Sequence, residues 1–329
     1  MNKVLAIRYS ERGNPVENAK LESVALPNAS HDEVLVRMLY APINPADINT
    51  LEGTYGELRP LPDTPGNEGI GIVEALGEKV EGIVVGSHVQ VRSMTWCEAG
   101  IWKATDLIPL SKVSDPVQGA MLRINPASAF CMLKNFHCFG SNEWVVQNAA
   151  NSGVGRWVIA LARRWKIPAI HLVRRAEAME ELLAEGGEHV LLDGMPAIED
   201  AKRISQDALF PLALNAVGGD SAGRLSKILT SSGTLVTYGA MSRKPLLVSN
   251  GALIFKNLQY RGFWVHKIVD AMTAVDRAAM YEELLELSNC GVVKIPVAEI
   301  FPLTQIREAL RASMLSARPG KVLLRLSEA

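Results

Sequence analysis

The sequence predicts an α/β protein made of a small, partly open β-barrel and a doubly wound parallel sheet. Three observations carry this. The chain has 329 residues, more than one hydrophobic core usually serves, so two domains are expected. Residues 1 to about 122 hold β-type runs punctuated by Pro and Gly. From about 123 onward, short apolar runs alternate with stretches of helical spacing, the pattern of parallel strands joined by crossover helices.

In the first part, Glu33 to Tyr40, Gly69 to Leu76 and Ser87 to Arg92 read as strands. Pro42, Pro45, Gly53, Gly56, Pro60, Pro62, Pro65 and Gly66 break the chain between them, which predicts long loops. In the second part six strands are expected: Glu143–Gln147, Ala169–Val173, His189–Leu192, Leu212–Asn215, Gly233–Tyr238 and Leu258–Gly262. Helical spacing falls at 157–166 and 176–185. Six such strands match a dinucleotide-binding fold. Two more helices, near 277–287 and 304–313, precede a last strand over 321–326, which is expected to return to the first domain. The domains are therefore 1–122 together with 266–329, and 123–265.

Net charge is −1, and charged residues make up 21% of the chain with both signs mixed. That balance points away from a nucleic-acid groove or a basic membrane-binding face. No apolar run reaches the ~18–20 residues of a membrane span, and the first residues run straight into strand-like alternation without a targeting pattern. The four cysteines, Cys97, Cys131, Cys138 and Cys290, form no paired spacing, so free thiols are expected.

The turn after the first strand of the parallel sheet reads Gln147-Asn-Ala-Ala-Asn-Ser-Gly-Val-Gly155. Against G-x-G-x-x-G it keeps only the third glycine, Gly155, with Ala150 and Ser152 at the other two positions. Its place between a strand and a helix strengthens it, because backbone N–H groups and the helix dipole there favour a pyrophosphate. A merely tight strand-to-helix turn would look the same. About twenty residues on, Leu172-Val-Arg-Arg175 puts Arg174 and Arg175 where an NAD enzyme has an acidic residue for the ribose 2′-hydroxyl. Two arginines favour the 2′-phosphate of NADP; the plainer alternative is a solvated basic strand end.

A zinc dehydrogenase needs cysteine and histidine ligands. Asn44 stands at the first such position, Gly66-Asn-Glu68 replaces a Gly-His-Glu, and residues 85–103 hold one cysteine. No metal is therefore expected.

Pro42-Ile-Asn-Pro-Ala-Asp-Ile-Asn49, Gly53-Thr-Tyr-Gly56, Gly66-Asn-Glu-Gly69, Asn125-Pro-Ala-Ser-Ala-Phe130, the turn ending at Gly155, Tyr238-Gly-Ala-Met241 and Arg261-Gly-Phe-Trp264 stand in order along the chain. Together they resemble the 2-enoyl thioester reductases of the medium-chain dehydrogenase/reductase superfamily, the trans-2-enoyl-CoA/acyl-carrier-protein reductase type. The resemblance runs from about residue 40 to the C-terminus. It implies a GroES-like catalytic domain, a Rossmann cofactor domain, NADPH, an enoyl thioester substrate and a homodimer. It makes Tyr55 the proton donor. It places cofactor contacts on Asn125, on Asn151, Ser152, Gly153 and Val154, and on Arg174 and Arg175. Further contacts fall on Tyr238, Gly239, Ala240 and Met241, on Phe263, Trp264 and Val265, and on Lys321. Ala46, Ala150 and Ala240 depart from the family's usual residues. The missing mitochondrial leader implies a cytoplasmic enzyme.

The implied chemistry is hydride addition to the β-carbon of a trans-2-enoyl thioester and protonation of the α-carbon. Charge builds on the thioester oxygen, where each good hydrogen-bond donor lowers the barrier by about 3–4 kcal/mol. A tyrosine hydroxyl is a reasonable proton source. By residue type alone Tyr55 reads equally as a packing residue, Phe263 and Trp264 as core, and Lys321 as a solvated strand-end lysine; Asn44 and Asn67 are candidate loop-fixing residues. Two competing readings share the same motifs: an NADPH-dependent quinone or enone reductase, and a nucleotide-binding protein without turnover.

Overall fold

The computed structural model describes residues 3–315 and 318–327. Six strands form one wholly parallel sheet: β1 (Glu143–Gln147), β2 (Ala169–Val173), β3 (Val190–Leu192), β4 (Leu209–Asn215), β5 (Thr234–Thr237) and β6 (Gln259–Gly262). Their spatial order is β3-β2-β1-β4-β5-β6. This is the expected doubly wound arrangement, with the order reversing between β1 and β4. The central strands are buried on both faces, with Val145, Val146, Ile170, Leu212, Ala213 and Leu214 all sealed from solvent. That is why they read as mainly apolar runs rather than as alternation, with His171 the buried polar exception in β2. Full burial of each valine, leucine or isoleucine contributes about 1.5–3 kcal/mol.

Two elements of this unit differ from expectation by three residues or more, for local reasons. Strand β4 begins at Leu209, three residues early, and its register against β1 slips between Leu209 and Leu212, across Pro211, which has no N–H to give the ladder. The helix after β1 runs Gly153–Arg164, four residues before the helical spacing starts, because Ser152 caps it: Ser152 Oγ accepts from Gly155 N at 3.1 Å.

The chain divides into two units, residues 1–124 with 274–329, and residues 125–273. The second boundary falls eight residues later than expected, since the helix Val265–Asp270 packs on the helix Asn125–Asn135 within the sheet unit.

The other unit carries a seven-stranded, mainly antiparallel sheet. Glu33–Pro42 lies at its centre, flanked by Gly69–Leu76 and by the C-terminal strand Lys321–Arg325. The tail thus returns to the first part of the chain as expected. Val34, Val36, Met38, Val89, Val91 and Trp96 fill the core. The helix Pro45–Glu52 was not anticipated. Its signal is legible: Pro45 at the first helical position and Asp47 two residues on, whose Oδ2 accepts from Asn44 N at 2.7 Å. Gly53, at φ 82°, ends it.

Candidate active site

In the sheet unit, buried amides lock the loops at the carboxyl ends of the strands. Asn148 Nδ2 donates to Asn215 Oδ1 at 2.9 Å and to Ser221 Oγ at 2.8 Å. Asn148 Oδ1 accepts from Ala216 N at 2.7 Å, and Asn215 Oδ1 accepts from Val217 N and Gly218 N. Sequence reasoning missed this pair; an asparagine just after one apolar strand and another at the end of a second were the available sign.

Above this floor lies the turn 148–155. A Cβ on Gly155 would sit 2.3 Å from the Ala150 carbonyl oxygen, and one on Gly153 would sit 2.9 Å from Asn125 Nδ2. The turn therefore needs glycine at 155, where backbone stands in the way, and at 153 the Asn125 side chain is brought against the glycine. Asn125 Nδ2 is buried without a hydrogen-bond partner, whereas the buried Tyr238 hydroxyl faces the Ser152 side chain. An unpaired buried polar atom costs about 1–3 kcal/mol, so the Asn125 amide calls for a polar ligand. Burial pushes the Tyr238 phenol well up, with the Ser152 hydroxyl opposing, so the group is neutral and can donate. An orphaned donor, a glycine cradle and a helix N-terminus in one place fit a dinucleotide phosphate.

Arg174 and Arg175 follow β2 and are exposed. The nearby acid, Asp193, hydrogen-bonds Val173 O through its backbone. Its carboxylate is already taken by Arg224 Nε at 2.6 Å and Ser221 Oγ at 2.5 Å. Gly239 approaches Ala216, so that a Cβ there would meet its carbonyl oxygen at 3.0 Å. Ala240 and Met241 are exposed. Phe263 and Trp264 are half-buried: Phe263 meets Phe136 edge-on at 6.1 Å, and Trp264 meets His266 at 5.6 Å. Neither is core. Val265 is buried at the start of its helix. The sheet unit thus holds every expected cofactor residue except Lys321.

Tyr55 and Lys321 belong to the other unit. Tyr55 is half-buried, and its N–H donates to Asn49 O at 3.1 Å, as Thr54 N does at 2.8 Å. The tyrosine loop is thereby tied to the Pro45–Glu52 helix. The start of that helix sits in a buried polar network. Lys321 Nζ donates to Asn44 Oδ1, and Asn44 Nδ2 donates to Glu68 Oε1 at 2.8 Å. Glu68 Oε2 accepts from Ile124 N at 2.9 Å, and Asp47 Oδ1 from Asn67 Nδ2 at 2.6 Å. Burial pushes the Asp47 carboxyl up to about 6 and the Glu68 carboxyl up to about 7, with Lys321 opposing in both cases. Burial also holds the Lys321 ammonium below the usual lysine range. Lys321 is thus not a solvated strand-end lysine, and Asn44 and Asn67 do fix a loop and a helix start. The glutamate at their centre was not foreseen, because only the fold brings residues 44, 68 and 321 together.

A GroES-like fold joined to a six-stranded Rossmann sheet with this glycine cradle defines a medium-chain dehydrogenase/reductase. Residues 30–113 match the alcohol dehydrogenase GroES-like domain, and residues 186–324 match the zinc-binding dehydrogenase family. The chain is 34% identical to a mitochondrial enoyl-[acyl-carrier-protein] reductase of Dictyostelium discoideum over 98% of its own length and 94% of the relative's. It is 37% identical to that of Caenorhabditis elegans, covering 87% and 85%. The chain belongs to the enoyl thioester reductase family of the medium-chain dehydrogenase/reductases.

Solved structures agree on the fold. A Bacillus thuringiensis protein described as a candidate NADPH:quinone reductase superposes with a TM-score of 0.91 at 24% identity, covering 99% of each chain. The Etr1p/NADP/crotonyl-CoA complex superposes with a TM-score of 0.86 at 24% identity, covering 99% of this chain and all of that one. Among the described residues, no helix is long and apolar enough to cross a membrane.

Proposed function

We infer that this protein is an NADPH-dependent reductase of the C2=C3 double bond of trans-2-enoyl thioesters, carried on coenzyme A or on an acyl-carrier protein. Membership of the family, over nearly the whole length of its enoyl reductase relatives, carries the reading. When bound, the reduced nicotinamide supplies the hydride for the β-carbon. Asn125, Asn151, Ser152, Gly153 and Val154 cradle the cofactor, with Tyr238, Gly239, Ala240 and Met241 beside them and Phe263, Trp264 and Val265 completing the set. Arg174 and Arg175 take the 2′-phosphate. Lys321 is the last of the family's contacts, and here its ammonium also donates to Asn44. Tyr55 holds a proton for the α-carbon.

The test is NADPH oxidation at 340 nm with trans-2-enoyl-CoA substrates of several lengths, beside a simple quinone and with NADH as control. Fast oxidation with the enoyl thioester and NADPH is expected. Oxidation with the quinone alone would move the protein to the quinone reductases, whose fold it shares; no oxidation with tight NADPH binding would favour the silent reading.

A homodimer is part of the same proposal. Among the described residues, strand β6 ends the parallel sheet and pairs with β5 alone. Nearby along the chain, three consecutive apolar side chains, Leu253, Ile254 and Phe255, are 44%, 70% and 85% exposed, and an unpaired edge beside exposed apolar residues favours pairing with a second copy. Sedimentation at about 10 µM, within the range of specific protein association, is expected to show a dimer that Phe255→Glu dissociates. A monomeric wild type would end this proposal. The cytoplasmic location is likewise our reading, and the curated relatives carry mitochondrial names.

A further inference from the structure

Two buried carboxylates, Asp47 and Glu68, share the ammonium of the half-buried Lys321 through Asn44. We propose that Lys321 is a tethered internal cation that stands in for a metal at this site and positions the Tyr55 loop through Asn44 and the Pro45–Glu52 helix. The positioning half rests on the enzymatic reading above; the cation half does not.

Zinc does not fit the residues present, although the model matching 186–324 describes zinc-binding dehydrogenases. Zinc takes thiolate, imidazole or carboxylate donors. Asn44 and Asn67 offer neutral amides. All four carboxylate oxygens already accept: Asp47 from Asn44 N and Asn67 Nδ2, Glu68 from Asn44 Nδ2 and Ile124 N. An ammonium donating to Asn44 would also repel a divalent ion placed there. Conversely, two buried carboxylates without a cation are expensive, and removing one partner of such a set costs more than never having built it.

The link to the tyrosine is a chain of contacts. Lys321 holds Asn44; Asp47 caps Asn44 N and so starts the helix; Asn49 of that helix accepts from Thr54 N and Tyr55 N. Lys321 is therefore a positioning residue. Other charges facing the network are Arg318, which acts on Lys321, and Arg123, which senses Glu68.

The sign of the pH effect follows from the raised carboxyls. Below their values of about 6 and about 7 both groups hold protons and need no cation. Above them the negative charges need Lys321, so its loss matters more as pH rises. Lys321→Met is expected to lower the melting temperature by about 10 °C at pH 8 and by about 3 °C or less at pH 5.5. Adding Glu68→Gln is expected to recover about half of the pH 8 loss, and this double variant serves if Lys321→Met alone does not fold. An equal loss at both pH values, unrelieved by Glu68→Gln, means that Lys321 acts by packing alone and overturns the cation. With enoyl thioester, Lys321→Met is expected to lose about tenfold in kcat with KM changed by about threefold or less. Unchanged kcat beside the expected melting profile overturns the positioning role. Zinc binding by the wild type, measured by competition with a chromogenic chelator, overturns the stand-in. A wild type inactive on every enoyl thioester defeats the enzymatic reading instead and leaves the melting profile to decide the cation.

Discussion

Replacing Arg174 and Arg175 together by alanine is expected to weaken NADPH binding by about 10²-fold while leaving NADH within about threefold. A hydrogen bond to a charged group contributes about 1.5–3 kcal/mol, so two guanidiniums on a 2′-phosphate could reach a larger factor. Both side chains are exposed, however, and solvent screening reduces the gain. NADH has a hydroxyl in that position and nothing there for an arginine to pair with. The acid that NAD enzymes use is also absent, for Asp193 is committed to Arg224 and Ser221. Titration of nicotinamide fluorescence at two salt concentrations measures both effects. The NADPH loss should be greater at low salt. An equal loss for both cofactors would show that the arginines support the strand end rather than the phosphate.

Tyr55→Phe is expected to lower turnover by about 10²-fold with NADPH affinity unchanged, the lower end of what a placed general acid supplies. The ring and its half-buried packing survive the change; only the hydroxyl goes. The backbone tie from Tyr55 N to Asn49 O is untouched, so the loop keeps its shape. Stopped-flow measurement of a single turnover, with equilibrium NADPH titration beside it, separates the two readouts. Turnover equal to wild type would remove Tyr55 from proton transfer and leave it as a wall of the site.

The sheet unit was legible because its signals are local. β1, β2 and β4 are buried on both faces, which writes mainly apolar runs into the sequence, and the helices between them keep helical spacing. The turn at 148–155 was legible despite two missing glycines, because its place after a strand carried the meaning. Asn125 was placed by resemblance alone; the structure sets it against Gly153, about thirty residues away along the chain. The Pro45–Glu52 helix was missed because Pro and Gly on either side read as loop, although Pro45 and Asp47 are good starting residues.

The network around Lys321 shows where sequence reading stops. Asn44, Asp47 and Glu68 were each visible, and the departure from a zinc pattern at 44 and 67 could be read directly. A lysine 277 positions from Asn44 could not be joined to it, because no periodicity links residues that meet only when the C-terminal strand pairs with Glu33–Pro42. The sequence by itself determined the strand and helix order, the glycine cradle and the basic end of β2, since each depends on residues close together in the chain. Only the tertiary structure decided which charges share a buried site and how strongly burial shifts them, since desolvation and pairing depend on what the fold packs around each group.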